Sequence, residues 1–317
     1  VKFDVNVKGI LEEARKVLKI NNICTGVGIP KIRRIPSGNI SIDYVLGGGV
    51  PTGKIIEILG PESSGKTTLA LSWISEFQRQ GELCALIDAE CAFVPAYAEN
   101  LSVDMPRLLV QTPLTGEEGF AVLRYLIGLN KFRLIVVDSI AAMVPKHELD
   151  GEIGDRHVAL QARLVAQGLR MITGLLNTNK CTVVFLNQLR DNVGVMFGEK
   201  TVTPGGRALK HHASIRLAMK RQRQLQDKLK RIVGNKIEVY GKKNKVGSPF
   251  RRTIVDIYYA TGIHEYSGLF ELAEQLEIIK KVSGRTYSFE GAEFTKGTFE
   301  EEVGGNPKFI KEIFGNA

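Results

Sequence analysis

The sequence predicts an α/β fold with a mostly parallel central sheet, and three observations carry that prediction. Short, almost wholly apolar runs alternate with helix-like patterns from residue 55 to residue 187, which is how strands covered on both faces by crossover helices read. One strand-like run, 55–59, and one helix-like run, 66–80, are joined by Gly60-Pro61-Glu62-Ser63-Ser64-Gly65-Lys66-Thr67-Thr68. That is a complete phosphate-binding loop in its confirming order of strand, loop and helix. Later apolar runs at 214–219, 236–240 and 253–259 lie close together and predict an antiparallel extension of the sheet.

Taken in order, residues 7–20 read as a short amphipathic helix, because Ile10, Leu11, Ala14, Val17 and Leu18 fall on one stripe. Residues 21–38 contain Gly26, Gly28, Pro30 and Pro36 and read as an extended connection. In the helix after the loop, Leu69, Trp73, Ile74 and Phe77 recur at helical spacing. Further strands are expected at 83–88, 108–111, 134–138 and 182–187. From Gly268 the composition shifts to Glu, Lys and Gly with short helical patterns, which reads as a small C-terminal α/β subdomain. The expected organisation is an N-terminal helical arm over 1–34, a core over 35–266 and the subdomain over 267–317.

A chain of 317 residues can bury one large core with short appendages. Hydrophobic residues at 44% and charged residues at 24% match an ordinary soluble protein, and no apolar stretch is long enough for a membrane span. The first twenty residues hold Asp4, Glu12 and Glu13 and no secretory apolar block, so a cytoplasmic protein is expected. Cys24, Cys84, Cys91 and Cys181 show no metal-ligand spacing and are expected as buried free thiols. The net charge of +9 is uneven: between residues 200 and 252, 16 Lys and Arg face only Asp227 and Glu238, a local +14 that leaves −5 elsewhere. Such asymmetry points to a polyanion, with nucleic acid the first candidate, against the plainer alternative of a solvated basic face.

Ligands of parallel α/β sheets bind beyond the carboxyl ends of the strands, so the residues there are read as a set. Gly60 and Gly65 free the loop backbone to turn its N–H groups toward phosphate oxygens, Lys66 reaches the β and γ phosphates, and Thr67 offers a hydroxyl to Mg²⁺. Asp138, at the end of 134–138, is placed to hold the water shell of that Mg²⁺. Glu90 is the first candidate for activating the attacking water, with Asp88 as its competitor. Gln188 is a candidate γ-phosphate sensor, and a strand-end amide that serves only loop backbone is the other reading of it.

Read together, these residues resemble the bacterial RecA recombinase family over roughly 35–266. The resemblance is carried by the loop itself, by Ile87-Asp88-Ala89-Glu90, by Glu148-Leu149-Asp150-Gly151-Glu152-Ile153-Gly154-Asp155 and by Asn187-Gln188-Leu189-Arg190. Gly194-Val195-Met196-Phe197-Gly198 leading to Thr203-Pro204-Gly205-Gly206-Arg207-Ala208-Leu209-Lys210 completes it. It implies a RecA-like ATPase core that takes ATP and Mg²⁺, with Lys66, Glu90 and Gln188 in catalysis and Tyr97 stacking on adenine. It further implies that Lys210, Lys243 and Lys245 contact ATP, the last two across a subunit interface. Residues 148–157 and 191–206 would be DNA-binding loops, with Val158, Arg163, Arg170, Arg190, Met196, Phe197, Gly205, Gly206 and Arg207 as contacts. Met196 and Phe197 would wedge between bases, the alternative being that they anchor the loop in a core.

The resemblance thus implies a DNA-dependent ATPase that polymerises through its N-terminal arm on single-stranded DNA, pairs it with homologous duplex and exchanges strands. A hexameric DNA helicase on the same core is the first alternative, and a filament scaffold that activates self-cleavage of a repressor is the second. Departures are also visible. His211-His212 stands where the family carries an aromatic pair, residues 91–94 differ from the family's segment near adenine, and 220–231 is more basic than its counterpart. The short arm and the want of a long acidic tail fit a compact or phage-encoded relative.

Overall fold

The computed structural model describes residues 7–19, 23–29, 31–152, 159–191, 201–202 and 204–315, with backbone only at 28, 190–191 and 201–202. Two compact units are present, residues 1–33 and residues 34–317. In the first, α1 (Val7–Leu18) buries none of its residues, and its stripe residues Ile10, Val17 and Leu18 are exposed. It ends two residues earlier than the pattern predicts, and Ile20 lies outside the described residues. The Arg15 guanidinium donates to the Ile23 carbonyl from Nε at 3.2 Å and from Nη2 at 2.9 Å.

The second unit opens with β1 (Arg34–Ile35), α2 (Ile40–Leu46) and β2 (Val50–Pro51). Asn39 caps α2, its side chain accepting from the Ile42 amide at 2.9 Å. Then come β3 (Ile55–Gly60), α3 (Lys66–Arg79), β4 (Leu83–Asp88), α4 (Pro95–Asn100), β5 (Leu108–Gln111), α5 (Gly116–Gly128) and β6 (Phe132–Asp138). They are followed by α6 (Lys146–Leu149), α7 (Leu160–Asn179), β7 (Thr182–Gln188), β8 (Arg190–Asp191), β9 (Thr201–Val202) and α8 (Ala208–His212). A long meander of β10 (Ile215–Gln226), β11 (Ile232–Asn244), β12 (Arg252–Tyr258) and β13 (Gly262–Ile263) leads to the C-terminal elements. These are α9 (Leu269–Gln275), β14 (Lys280–Ser283), β15 (Thr286–Phe289), β16 (Ala292–Thr295) and α10 (Pro307–Gly315).

Nine strands form the main sheet in the order β13-β12-β11-β10-β3-β7-β6-β4-β5. From β10 to β5 every pairing is parallel, and from β10 outward to β13 every pairing is antiparallel. The parallel sheet and its antiparallel extension follow the sequence patterns. β10 runs well past the expected 214–219 because its outer half, 220–226, is polar and basic; β11 extends past 236–240 at both ends, where Gly234, Asn235, Gly241 and two lysines interrupt the apolar pattern. After Gly268 the chain combines the short helices α9 and α10 with the antiparallel sheet β14-β15-β16.

Strand alternation divides the core between the two faces. Ile56, Ile58, Leu86, Leu134, Val136, Val184 and Leu186 face α3, sharing one apolar cluster with Leu69, Trp73, Ile74 and Phe77. Ile55, Ile87, Ile135, Val137, Val183 and Phe185 face α5 and α7 in the other, with Phe120, Leu123, Val165 and Ile172. Phe270, Phe289, Phe299 and Phe309 extend the first cluster into the C-terminal elements through edge-to-face ring pairs. Cys84 and Cys181 are buried free thiols, as expected; Cys24 and Cys91 are exposed, because neither lies inside a sheet strand. No helix among the described residues is long and apolar enough to cross a membrane.

Candidate functional site

The carboxyl end of β3 lies between β7 and β10, one strand inside the point where the sheet changes from parallel to antiparallel, and the phosphate-binding loop leaves from there. Its backbone leaves no room for larger residues: a Cβ on Gly60 would sit 2.6 Å from the Met219 carbonyl oxygen. Gly65 has φ +83°, and a Cβ there would meet the Ile257 Cδ1 at 2.5 Å. Ser64 Oγ donates to the Pro61 carbonyl at 2.8 Å, closing the turn. Pro61, Glu62 and Ser63 are exposed around the hollow, and Lys66 Nζ reaches over it to the carbonyls of Gly60 and Pro61 at 3.1 and 2.8 Å. Burial holds the Lys66 ammonium below its usual range, opposed by the carboxylates of Asp138, Glu90 and Glu62.

Three strand ends bring their polar residues to this loop. Thr67 Oγ1 donates to Asp138 Oδ2 at 2.8 Å, so a hydroxyl and a carboxylate, both hard oxygen donors, stand side by side. The Asp138 carboxyl is pushed up to about 6, chiefly by burial and further by Glu90 and Asp88, while Thr67 and Lys66 oppose the rise. The end of β4 is tied to the end of β6 by the Ala89 and Glu90 amides, which donate to the Asp138 carbonyl at 2.7 and 3.2 Å. Glu90 Oε1 then accepts from the Ser139 hydroxyl and from Gln188 Nε2, the latter at 3.1 Å. Asp88 is differently employed: it is buried, and its oxygens accept the Ala92 and Phe93 amides at 3.2 and 2.9 Å. Glu90 is exposed.

Tyr97, on α4, is held beside the loop helix by a 2.7 Å bond between its hydroxyl and that of Thr68. Lys210, Lys243 and Lys245 are not brought to the loop in the single chain. They gather at the end of α8, where Lys243 Nζ donates to the carbonyls of Lys210 and His211 at 2.6 and 3.2 Å and Lys245 Nζ to that of His211 at 3.5 Å. Burial, then the charges of Lys245 and Arg216, lower Lys243 to about 8. His212 contacts α7 instead, its Nδ1 lying 3.0 Å from Thr173 Oγ1.

Of the expected DNA contacts, Arg163 and Arg170 stand exposed two turns apart on α7, and Arg207 is exposed before α8. Gly205 and Gly206 take φ +81° and +74° and press on α7, where a Cβ on Gly206 would approach Ala162 Cβ to 2.9 Å. Val158, Met196 and Phe197 lie outside the described residues, as does the side chain of Arg190. The segment 220–231 forms the exposed far end of the β10–β11 hairpin, its turn closed by Asp227, which accepts the Leu229 and Arg231 amides at 2.8 and 2.9 Å.

Sequence reasoning passed over Ser139 and Thr68 as partners. Ser139 had a signal, its position directly after a strand-end acid; the role of Thr68 depends on where α4 docks.

Comparison with known proteins adds to this geometry. Residues 17–264 match the RecA N-terminal domain family. The chain is 46% identical over 268 residues to Protein RecA of Bacillus subtilis (strain 168), covering 84% of this chain and 76% of that one. It is 47% identical over 283 residues to Protein RecA of Bacillus thuringiensis (strain Al Hakam), covering 89% and 80%. To Protein RecA of Oceanobacillus iheyensis it is 48% identical over 271 residues, covering 85% and 77%.

Proposed function

This chain belongs to the RecA family, and we propose from that premise that it is an ATP-dependent recombinase: a DNA-dependent ATPase that self-assembles on single-stranded DNA, pairs it with homologous duplex and exchanges strands. The observation that carries the catalytic half is Glu90 Oε1, fixed by Ser139 and Gln188 beside the Thr67–Asp138 pair and the phosphate-binding loop.

The residues fit ATP with Mg²⁺. Gly60 and Gly65 let the loop backbone pack where a Cβ would strike Met219 and Ile257, and Thr67 with Asp138 is an oxygen pair of the kind a hard divalent cation takes. Mg²⁺ there would neutralise charge on the phosphate oxygens. The chain's own residues supply the rest. Lys66, now bonded to the loop carbonyls, turns its charge to the β and γ phosphates, and Tyr97 offers its ring to the adenine. Glu90 orients the attacking water and accepts its proton, a role that Asp88, spent on two backbone amides, cannot share. Gln188 donates to Glu90 in the absence of nucleotide and to the γ phosphate in its presence, which makes it the reporter of nucleotide state. Lys243 and Lys245 complete the site of an adjacent subunit, and Lys210 is a further contact to ATP.

For DNA, the exposed Arg163, Arg170 and Arg207, with Arg190 and Gly205-Gly206, form a phosphate-binding surface, while Val158, Met196 and Phe197 contact bases. Residues 1–34 serve as the assembly arm, 35–266 as the ATPase core and 267–317 as an appended subdomain. Activation of repressor self-cleavage by the filament is a further activity we propose on the family's pattern.

The direct test is ATP hydrolysis with and without single-stranded DNA, paired with strand exchange between a circular single strand and a homologous linear duplex. Exchange that needs ATP and is lost in Lys66→Ala supports the reading. Absence of exchange with unwinding of a forked duplex, or closed rings in electron micrographs, replaces it with the helicase.

A further inference from the structure

On the α5–α7 face of the sheet, directly behind the nucleotide site, three polar side chains meet inside the apolar core. Glu57 on β3 and Asn187 on β7 are wholly buried, and Arg216 on β10 is nearly so. Strand register makes them neighbours: Arg216 pairs with Glu57, and Asn187 pairs with Leu59 two residues along. Glu57 Oε2 accepts from Arg216 Nε, and Glu57 Oε1 accepts from Asn187 Nδ2 at 2.9 Å. Asn187 Nδ2 also donates, at 3.4 Å, to the Pro204 carbonyl, at the end of segment 191–206. Its Oδ1 is buried without a hydrogen-bond partner among the described residues.

This arrangement asks for a reason beyond stability. A buried carboxylate and guanidinium already satisfy each other's charge, and a third polar group that leaves an acceptor unpaired adds a desolvation cost. Asn187 is also the residue before Gln188. Because strand neighbours point to opposite faces, one step of β7 sends the Gln188 amide to Glu90 and the Asn187 amide to Glu57 and Pro204. Both residues pair with the last residues of β3 before the phosphate-binding loop, Asn187 with Leu59 and Gln188 with Gly60. A displacement of the β7 end that follows Gln188 therefore moves Asn187 as well. The bond it strains first is the long one to Pro204.

We infer that Asn187, held by Glu57, is a positioning residue that transmits nucleotide state to the Pro204 end of segment 191–206. The inference rests on the reading of that segment as a DNA contact. It differs from a role of Gln188 alone, since Gln188 touches the catalytic carboxylate and Asn187 touches the segment's far end.

The test compares ATP turnover with and without single-stranded DNA in the full chain, in Asn187→Asp, and in the exchange variant Glu57→Gln with Asn187→Asp. The single variant sets two carboxylates together and removes the donor to Pro204. The exchange variant restores one amide donating to one carboxylate, and still gives Pro204 no donor. If Asn187 transmits nucleotide state, the exchange variant, whose cluster again holds a single carboxylate for the Arg216 charge, melts above Asn187→Asp and keeps DNA-free turnover, while its stimulation by DNA falls about tenfold, within the usual span of coupling between sites. A purely structural cluster predicts the opposite, that stimulation returns with the melting temperature, and this result overturns the inference. So does normal stimulation in Asn187→Asp, or failure of both variants to fold. A parent chain that DNA does not stimulate overturns the functional reading itself, which separates that failure from this one.

Discussion

Glu90 is the residue on which the proposed chemistry turns, because its Oε1 is the meeting point of donors from two other strand ends, Ser139 after β6 and Gln188 at the end of β7. Glu90→Gln keeps the size and loses the base, so hydrolysis should fall at least about tenfold while nucleotide binding stays near that of the parent. Single-turnover hydrolysis beside a fluorescent-nucleotide titration measures both, and near-normal turnover would move the role elsewhere. Lys243 gives a pH signature. Its ammonium is lowered to about 8, chiefly by burial, so the cation is present below that pH and is lost as pH rises through it. If it completes a neighbouring site, the phosphates there favour the ammonium, so the alkaline limb of turnover by the assembled protein should lie above about 8, and Lys243→Arg, whose guanidinium stays charged, should carry activity to still higher pH. Identical alkaline limbs would remove Lys243 from the site.

At the scale of elements, the unit of β3, loop and α3 is locally specified: apolar strand, two glycines that exclude a Cβ, then a helix whose buried stripe includes Trp73 and Phe77. The β10–β11 hairpin is specified differently. Its inner half is core, with Leu217, Ile237 and Val239 buried, and its outer half exposes Arg221, Arg223, Lys228 and Lys230. Pairing continues outward because the strands are already aligned by the inner half, so the ladder needs no apolar side chains there. Replacing Arg223, Lys228 and Lys230 by Gln should therefore change stability by only about 0.5 kcal/mol per site, as for other exposed substitutions. If these charges meet phosphate, the slope of log affinity for single-stranded DNA against log salt should flatten by about 0.7 for each phosphate no longer neutralised. An unchanged slope would leave the hairpin as a solvated basic ribbon.

Over the whole molecule, each apolar core is drawn from residue 35 onward, while α1 keeps an exposed apolar stripe. A chain beginning at Arg34 should thus fold and bind nucleotide, and should lose self-assembly on single-stranded DNA, as sedimentation and electron microscopy would report; filaments of normal length would take the assembly role from the arm. What the sequence determined by itself is local or periodic: the phosphate-binding loop with its flanks, the alternation that buries Ile55 on one face and Ile56 on the other, and the basic stretch from 200 to 252. Glu57 shows the limit. It is one acid in an apolar run, and its burial depends on Arg216, 159 residues away in sequence. The grouping of Glu90 with Ser139 and Gln188 spans 98 residues and exists only because β4, β6 and β7 lie side by side with their ends in register. Tertiary structure alone decided those contacts, because a charged or amide side chain carries no periodic signal of its partner, and only the packed sheet sets which ones share a face.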